Sequence, residues 1–485
     1  MEGETGLKLP PKRTVLALLS GLGAAVVLSI ANAFLPGFVF IGLLLLAVVA
    51  FFVTKEPWLG VLLVVFFLPF ERLGAYELGG TTIRISQIIL IITLGAWFFS
   101  LIIRKKFNFA KNPALVFWIL FIAINIVGLA NSLNLERSVM VLIYIIFTSL
   151  LAFLVPNLIS DKERVKKVVS ILLISFVIVS IFGLWQFLGD MAGLPTTMTG
   201  LRELYTKSVL GFSRVQSTAY EPLYFANYLL LPISLLFALF LSGRNAIKSG
   251  WLIILIGLGM VNLILTVSRG GYLAIAFSLL VIGIYFLRRL LTVRNLVVFG
   301  LAAVLVGYIT VRALGSGGQP LTLEKFQGHV INAFYGASYE ERVETFTNAF
   351  TIWREYPAVG IGPGSFGPYV APHPYYMPKD GWKIVNNEFI EILAENGLIG
   401  LAVFSLFCLF LIIRSAKAIS RSGDRYLRAV MIGLLGAFIG VLAQYQTFST
   451  LYIMQIWFMI GLMIAVQNII FAKQKNNHEV LDKAQ

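Results

Sequence analysis

The sequence predicts an all-α, polytopic integral membrane protein of about 12–14 transmembrane helices with one large extracytoplasmic loop. Three observations carry this. Apolar side chains make up 58% of the 485 residues and charged ones only 13%, against about 25% charged in soluble domains. Apolar runs of roughly 17–22 residues recur along the chain, long enough to cross a bilayer and too many for one cleavable signal peptide. Basic residues collect in alternate connecting segments. Mean hydropathy is +0.87.

Taken in order, the runs near 14–33, 37–53, 58–70, 85–103, 113–130, 138–157, 166–188, 222–241, 250–267, 271–287, 295–312, 388–413, 427–446 and 450–471 each read as a span. The run at 58–70 is the shortest. Pro222 stands where a helix accepts proline, at its first position. The chain thus divides into an N-terminal bundle, 1–312, of about eleven helices, a large loop, 313–387, C-terminal helices, 388–471, and a polar tail, 472–485.

With the N-terminus in the cytoplasm, alternate loops become rich in Lys and Arg: Arg104, Lys105, Lys106 and Lys111; Lys162, Arg164, Lys166 and Lys167; Arg288, Arg289 and Arg294; Arg414, Lys417, Arg421, Arg425 and Arg428. The inside segments then hold about two thirds of the 38 Lys and Arg but only about a third of the 23 Asp and Glu, as the positive-inside rule requires. The expectation is a multi-pass protein of the plasma (inner) membrane with both termini cytoplasmic. This bias accounts for the net charge of +15, so membrane lipids are the expected neighbours and nucleic acid is not. Cys408 is the one cysteine and lies in an apolar run; His329, His373 and His478 are scattered. Neither a disulfide framework nor a Cys- or His-based metal site is expected, and no cofactor is implied.

Apart from Glu391 and Glu395, the spans carry no charge away from their ends. Ion-coupled transporters keep charged groups at bilayer depth, so chemistry is expected at the outer face. Two outside segments exceed hairpin length, about 190–221 and 313–387, and such loops are commonly functional. In the second, Ser338 and Glu341 have capping-box spacing, and Val343, Phe346, Phe350 and Trp353 form one apolar stripe of a helix. Pro357 ends that helix. The loop after it, Gly360-Ile361-Gly362-Pro363-Gly364, is backbone-permissive.

Three constellations on this side could carry chemistry. Arg269 lies in the turn Ser268-Arg269-Gly270-Gly271, Arg342 in the loop helix and Arg214 in the earlier loop. Arginine is suited to a diphosphate because it is planar, always charged and bidentate; an interfacial arginine can also simply reach lipid headgroups. Asn386 and Asn387 precede Glu388, Glu391 and Glu395, spaced to share a helical face. An Asn cap and an acidic first turn are ordinary, but Glu391 and Glu395 lie one and two turns into an apolar helix, where burial calls for a partner or a function. Glu221, beside Tyr220 and Tyr224, could be a base or a partner for Arg214; His373 is a lone loop histidine. Trp382 and nearby aromatics could pack on sugar faces or belong to an interfacial belt.

Together these residues resemble the O-antigen ligase/polymerase superfamily of membrane glycan transferases. Ser268-Arg269-Gly270-Gly271 is similar to the family's S-R-G-x; Arg342, Trp353, Tyr356-Pro357 and Gly360 to Phe366 resemble its arginine followed by PxxGxGxGxF; Asn387-Glu388 through Gly400 resembles HNxYLExxxExGxxG. The resemblance implies an inverting, metal-independent transferase that moves an oligosaccharide from a polyprenyl-diphosphate carrier to a glycan, lipid or protein acceptor hydroxyl in cell-surface polysaccharide synthesis. It implies that Arg269 and Arg342 grip the diphosphate, with Arg214 a third candidate by loop position, and that Asn386, Asn387 and Trp382 face the acceptor. One departure stands out. Ligases have a histidine where this chain has Asn386, and an amide takes no proton near neutral pH. The base is then sought among Glu391, Glu221 and His373. A polymerase of the same superfamily, or a non-catalytic exporter or flippase, is the alternative.

Overall fold

The computed structural model describes residues 37–73, 76–78, 81–105, 107–205, 213–243, 248–293, 295, 297, 300, 337–378, 381–449 and 451–482. The span expected near 14–33, nearly all of that near 295–312 and the first part of the 313–387 loop lie outside the described residues.

Helices dominate the fold. α1 (Gly37–Lys55) and α2 (Pro57–Phe67) lead to an antiparallel hairpin, β1 (Tyr76–Leu78) and β2 (Thr81–Ile83), which pairs Tyr76 with Ile83. There follow α3 (Ile85–Arg104), α4 (Leu115–Gly128), α5 (Leu135–Leu158), α6 (Lys162–Met191), α7 (Pro222–Ser242), α8 (Ser249–Leu265) and α9 (Arg269–Tyr285). After the undescribed stretch come α10 (Ala337–Glu355), the short α11 (Phe366–Val370), α12 (Glu388–Arg421), α13 (Arg425–Gln444) and α14 (Met454–Asp482). Among the described residues, 7 helices are long and apolar enough to cross a membrane, and shorter apolar helices accompany them. The chain is a multi-pass membrane protein, and its described residues are mostly helical. The hairpin is the exception that apolar periodicity did not signal.

The chain splits into two compact units, Met1–Gly60 with Ile92–Lys106, and Val61–Ile91 with Phe107–Gln485. Within the first, a Cβ on Gly60 would lie 2.1 Å from Thr93 Oγ1, so the backbone and that side chain meet directly. The second unit holds Arg137, Arg214, Arg269, Arg342 and Glu395.

At the centre of the second unit stands α7, buried along almost its whole length. Its neighbours approach on small residues, as membrane helices do. Gly433 of α13 meets Leu235 of α7, while Gly436 and Gly440 of α13 meet Ser278 and Ala274 of α9. Ser234 and Ser278 share a hydrogen bond of 2.6 Å, and Asn227 of α7 bonds Gln444 and Gln455. Polar groups inside an apolar medium need such partners. On the other side, Trp118 and Phe121 of α4 pack on Trp457 and Phe404.

Two local features differ from the sequence reading. The packed side of α10 is Thr345, Ala349 and Ile352 with Phe346 alongside, against Ile361, Phe366 and Val385; Val343 and Phe350 remain exposed. Small Ala349 permits the close approach, so packing follows it rather than the bulkier stripe. Ser338 falls inside the helix, which is described from Ala337. The second feature is a break. Gly397 interrupts α12 with φ 65° and ψ −171°, so α12 is two helices joined at one glycine of positive φ.

Candidate functional site

The break in α12 and the glycine loop before it form one joint. Around Gly397 the helix frees backbone groups, and the loop takes them up. Ile361 N–H donates to the Ala394 carbonyl at 3.3 Å and Gly362 N–H to that of Glu395 at 2.8 Å. In return, Leu398 and Ile399 N–H donate to the carbonyls of Pro357 and Ala358 at 2.9 and 3.2 Å. The Glu395 carboxylate completes the joint, accepting from Gly364 N–H at 2.8 Å and Phe366 N–H at 3.0 Å. Asn131 adds a bond to the Gly360 carbonyl.

A polar cavity of about 40 Å³ lies beside this joint, lined by Arg137, Glu388, Glu391, Glu395, Asn125 and Tyr452 among others. Arg137, in the first turn of α5, donates from Nε to the Gly364 carbonyl at 2.8 Å and lies 5.2 Å over the Trp382 ring. It is within electrostatic range of both Glu391 and Glu395. Glu391 accepts from Val385 N–H at 2.9 Å. Buried Asn125 and Asn396 also line the cavity; Asn125 Oδ1 and Asn396 Nδ2 have no hydrogen-bond partner among the described residues.

The arginines gather around the start of α9. Ser268 caps this helix, accepting from Gly271 N–H at 3.3 Å, and Arg269 is its first residue. Val267 just before has φ 49°, a conformation that a β-branched residue adopts only under constraint. Arg214 donates from Nε to the Thr266 carbonyl at 3.1 Å, which places it on the same turn. Arg342, half-buried on α10, lies within electrostatic range of Arg269. Arg214 thus bonds the turn that carries Arg269, and Arg342 lies within electrostatic range of it.

Asn387 joins the two groups. Asn387 caps α12, accepting at Oδ1 from Phe389 and Ile390 N–H, and donates to Gln446 at 3.2 Å. Glu388 N–H reaches the Tyr445 carbonyl at 2.8 Å. Thr447, in that same turn, packs on Gly270 of α9 so closely that a Cβ there would be 2.2 Å from Thr447 Oγ1. Asn386 has φ 59°, a left-handed conformation in which Asn, Asp and His are enriched.

Of the remaining candidates, Glu221 holds the N-cap position of α7 without a side-chain cap bond. His373 is exposed on a loop whose Pro374 carbonyl accepts from Asn134 at 2.8 Å, beside the head of α5.

A further cluster escaped the sequence reading. The hairpin brings Arg72 and Arg84 to one end, where Arg84 and Arg202 both lie over the Tyr220 ring, at 5.2 and 5.6 Å. Glu71 ties them, 3.7 Å from Arg84 and accepting Tyr220 N–H at 3.1 Å. Burial pushes the Glu71 carboxyl above the usual carboxylate range, although Arg84 opposes this. Arg72, Arg84 and Arg137 all sit on segments that charge counting assigns outside, the signal that singled out Arg214; no motif marked them.

Residues 252–405 match the family model described as O-antigen ligase, Wzy_C. Over that segment, about a third of its length, the chain is similar to the O-antigen ligase family. No curated protein matches the chain. The matched segment runs from α8 into the second half of α12 and contains Arg269, Arg342, the glycine loop and the Gly397 break. Arg137, Arg214 and the Tyr220 cluster lie before it. O-antigen ligase-like function belongs to glycan biosynthesis, and the domain's family consists of glycosyltransferase-like enzymes.

Proposed function

We propose that this protein transfers an oligosaccharide from a polyprenyl diphosphate to an acceptor hydroxyl at the outer face of the plasma membrane. The carrying observation is that Arg342 of α10 lies within electrostatic range of Arg269 at the head of α9: two cations so placed suit a ligand with two negative charges. Arg214 supports the turn itself. In the reaction the acceptor oxygen attacks the anomeric carbon, forming the new glycosidic bond with inversion. The bond from that carbon to the diphosphate oxygen breaks, and its electron pair leaves with the lipid diphosphate. Arg269 and Arg342 stabilise the charge developing there, without a metal. The hydroxyl proton passes to Glu391, which we choose over Glu221 and His373 because it bonds the segment that links α10 to the head of α12. Trp382, Asn386 and Asn387 border the acceptor.

Asn386 favours the polymerase variant of this reading over transfer to a lipid acceptor, since the imidazole of the ligase motif is missing. The test is a gel of products from purified protein given a polyprenyl-diphosphate oligosaccharide, with and without added acceptor. A ladder without acceptor supports polymerisation, and a single acceptor-dependent shift supports ligation. Unchanged donor in both conditions overturns the transferase reading in favour of export.

A further inference from the structure

At the opposite end of α9 and α13 from the Arg269 turn lies a second concentration of positive charge. A cavity of about 480 Å³ is lined by Arg288, Arg289, Arg425 and Arg428, with Tyr285 and Ser242. Its size falls in the range of small-ligand sites, about 300–1,000 Å³. Arg289 is committed to the fold: it donates to the carbonyls of Leu241 and Ser242 at the C-terminus of α7, where a cation is favoured. The other three arginines have no carboxylate among the lining residues. The neighbouring segments 242–249 and 286–300 contain no Asp or Glu at all. Asp424 is adjacent in sequence but is turned to Lys162, at 2.6 Å, and to the N–H groups of Tyr426 and Leu427.

Apolar surface adjoins this charge. Leu273, Phe277, Leu280 and Ile284 are exposed on α9, and their spacing puts them on one helical face. Leu287 and Leu291 continue the exposed surface past the arginines. At about 1.5 Å per residue α9 is about 25 Å long, so the charge sits roughly one hydrocarbon thickness from Arg269. A cluster of cations at a membrane boundary, continuous with a lipid-facing apolar stripe, has one matching ligand chemistry: a phosphate attached to acyl chains.

We propose that Arg288, Arg425 and Arg428 bind the phosphodiester headgroup of an anionic phospholipid, with its acyl chains along the exposed face of α9. Arg289 holds the wall of the site. The bound lipid spans the junction of α9 and α13, the two helices whose far ends carry Arg269 and Gln444. Nothing in the proposal depends on transferase activity.

The experiment measures lipid retention by native mass spectrometry of the purified full chain, titrated with phosphatidylglycerol, phosphatidylcholine or inorganic phosphate. The wild type is expected to retain phosphatidylglycerol in preference to both. Each arginine near an anionic headgroup contributes about a fivefold change in affinity, so the pair R425Q/R428Q should bind phosphatidylglycerol about 25-fold more weakly. Arg354→Gln, an exposed change at the end of α10, should have no effect. If the pair does not fold, Arg288→Gln, on the short turn after α9, is the second test, with an expected loss of about fivefold. Equal retention of phosphatidylglycerol by wild type and variants overturns the site. Equal binding of phosphatidylcholine overturns the role of charge. Displacement of the lipid by inorganic phosphate alone shows a soluble anion to be the ligand, and overturns the proposal.

Discussion

Arg137 and Glu395 hold the same residue from opposite sides. The Glu395 carboxylate accepts Gly364 N–H at 2.8 Å, and Arg137 Nε donates to the Gly364 carbonyl, also at 2.8 Å. The glycine loop is therefore fixed by a carboxylate from α12 and a guanidinium from α5. Glu395 is 8% exposed, so its removal strands the N–H groups of Gly364 and Phe366, each costing about 1–3 kcal/mol, and leaves Glu391 as the remaining carboxylate within electrostatic range of Arg137. Glu395→Ala is expected to lose about 2–5 kcal/mol. Glu395→Gln, which keeps one acceptor oxygen, should lose less. Denaturation in detergent checks both, and a double-mutant cycle with Arg137→Ala should show non-additivity. Full additivity would show that the two act separately.

Gly360 and Gly397 allow that joint to close. Both have positive φ, and each Cβ would stand 2.3 Å from backbone across the joint: Gly360 from the Glu395 carbonyl carbon, Gly397 from that of Ala358. No rotamer change relieves a clash with backbone. Gly397→Ala is expected to cost more than about 3 kcal/mol, combining the left-handed penalty with displaced hydrogen bonds. Gly257 in α8 has nothing within 4 Å of its Cβ, so Gly257→Ala should be neutral or stabilising by up to about 1 kcal/mol. Thermal unfolding of the two variants side by side is the check. Equal midpoints would mean that the loop is not seated on the helix break.

Much of this was legible in the sequence, and for identifiable reasons. Long apolar runs fix helices because the bilayer leaves the backbone no other partner, and the helices expected near 85–103, 222–241 and 427–446 stand within a few residues of those positions. Pro357 marked the end of α10, which closes at Glu355. The motif around Arg269 and Asn387 was readable because it is continuous in sequence. What local pattern cannot carry is pairing at a distance. Arg137 follows an ordinary cap at Asn134, and only the three-dimensional fold brings it to Gly364. The break at Gly397 was hidden because one glycine in an apolar helix is common; its φ depends on the loop that fills the gap. Arg72 and Arg84 needed the hairpin between them.

Arg269 and Arg342 are expected to act on the diphosphate rather than on stability. Both are half-buried, Arg269 as the first residue of α9 and Arg342 in the second turn of α10. Arg342→Ala should lower the turnover rate about 10²–10³-fold, the usual effect of removing one preorganised donor from a developing oxyanion, with an unchanged melting midpoint. Arg342→Lys should recover only part of that loss, because an ammonium cannot form the planar two-point contact. Single-turnover transfer from a polyprenyl-diphosphate oligosaccharide is the measurement. Wild-type rates in Arg342→Ala would remove Arg342 from the site.

Lys162 and Asp424 predict a pH dependence at the other end of the bundle. Asp424 is pulled in two directions: burial raises its pKa, but the Lys162 ammonium and the N–H groups of Leu427 and Tyr426 outweigh this and hold the carboxyl below its ordinary value. A depressed carboxyl contributes stability above its unfolded pKa, about 3.9, and that contribution disappears as pH falls through the lower folded value. Lys162 is 37% exposed, so screening limits the pair to under about 1 kcal/mol. The melting midpoint should therefore fall slightly more steeply below about pH 4 in the wild type than in Asp424→Asn, whose amide oxygen still caps α13. The two curves should separate by about 1–2 °C above about pH 5 and converge near about pH 2. If they run parallel throughout, the carboxylate acts as a cap alone. The ion pair with Lys162 would then contribute nothing to the joint between α6 and α13.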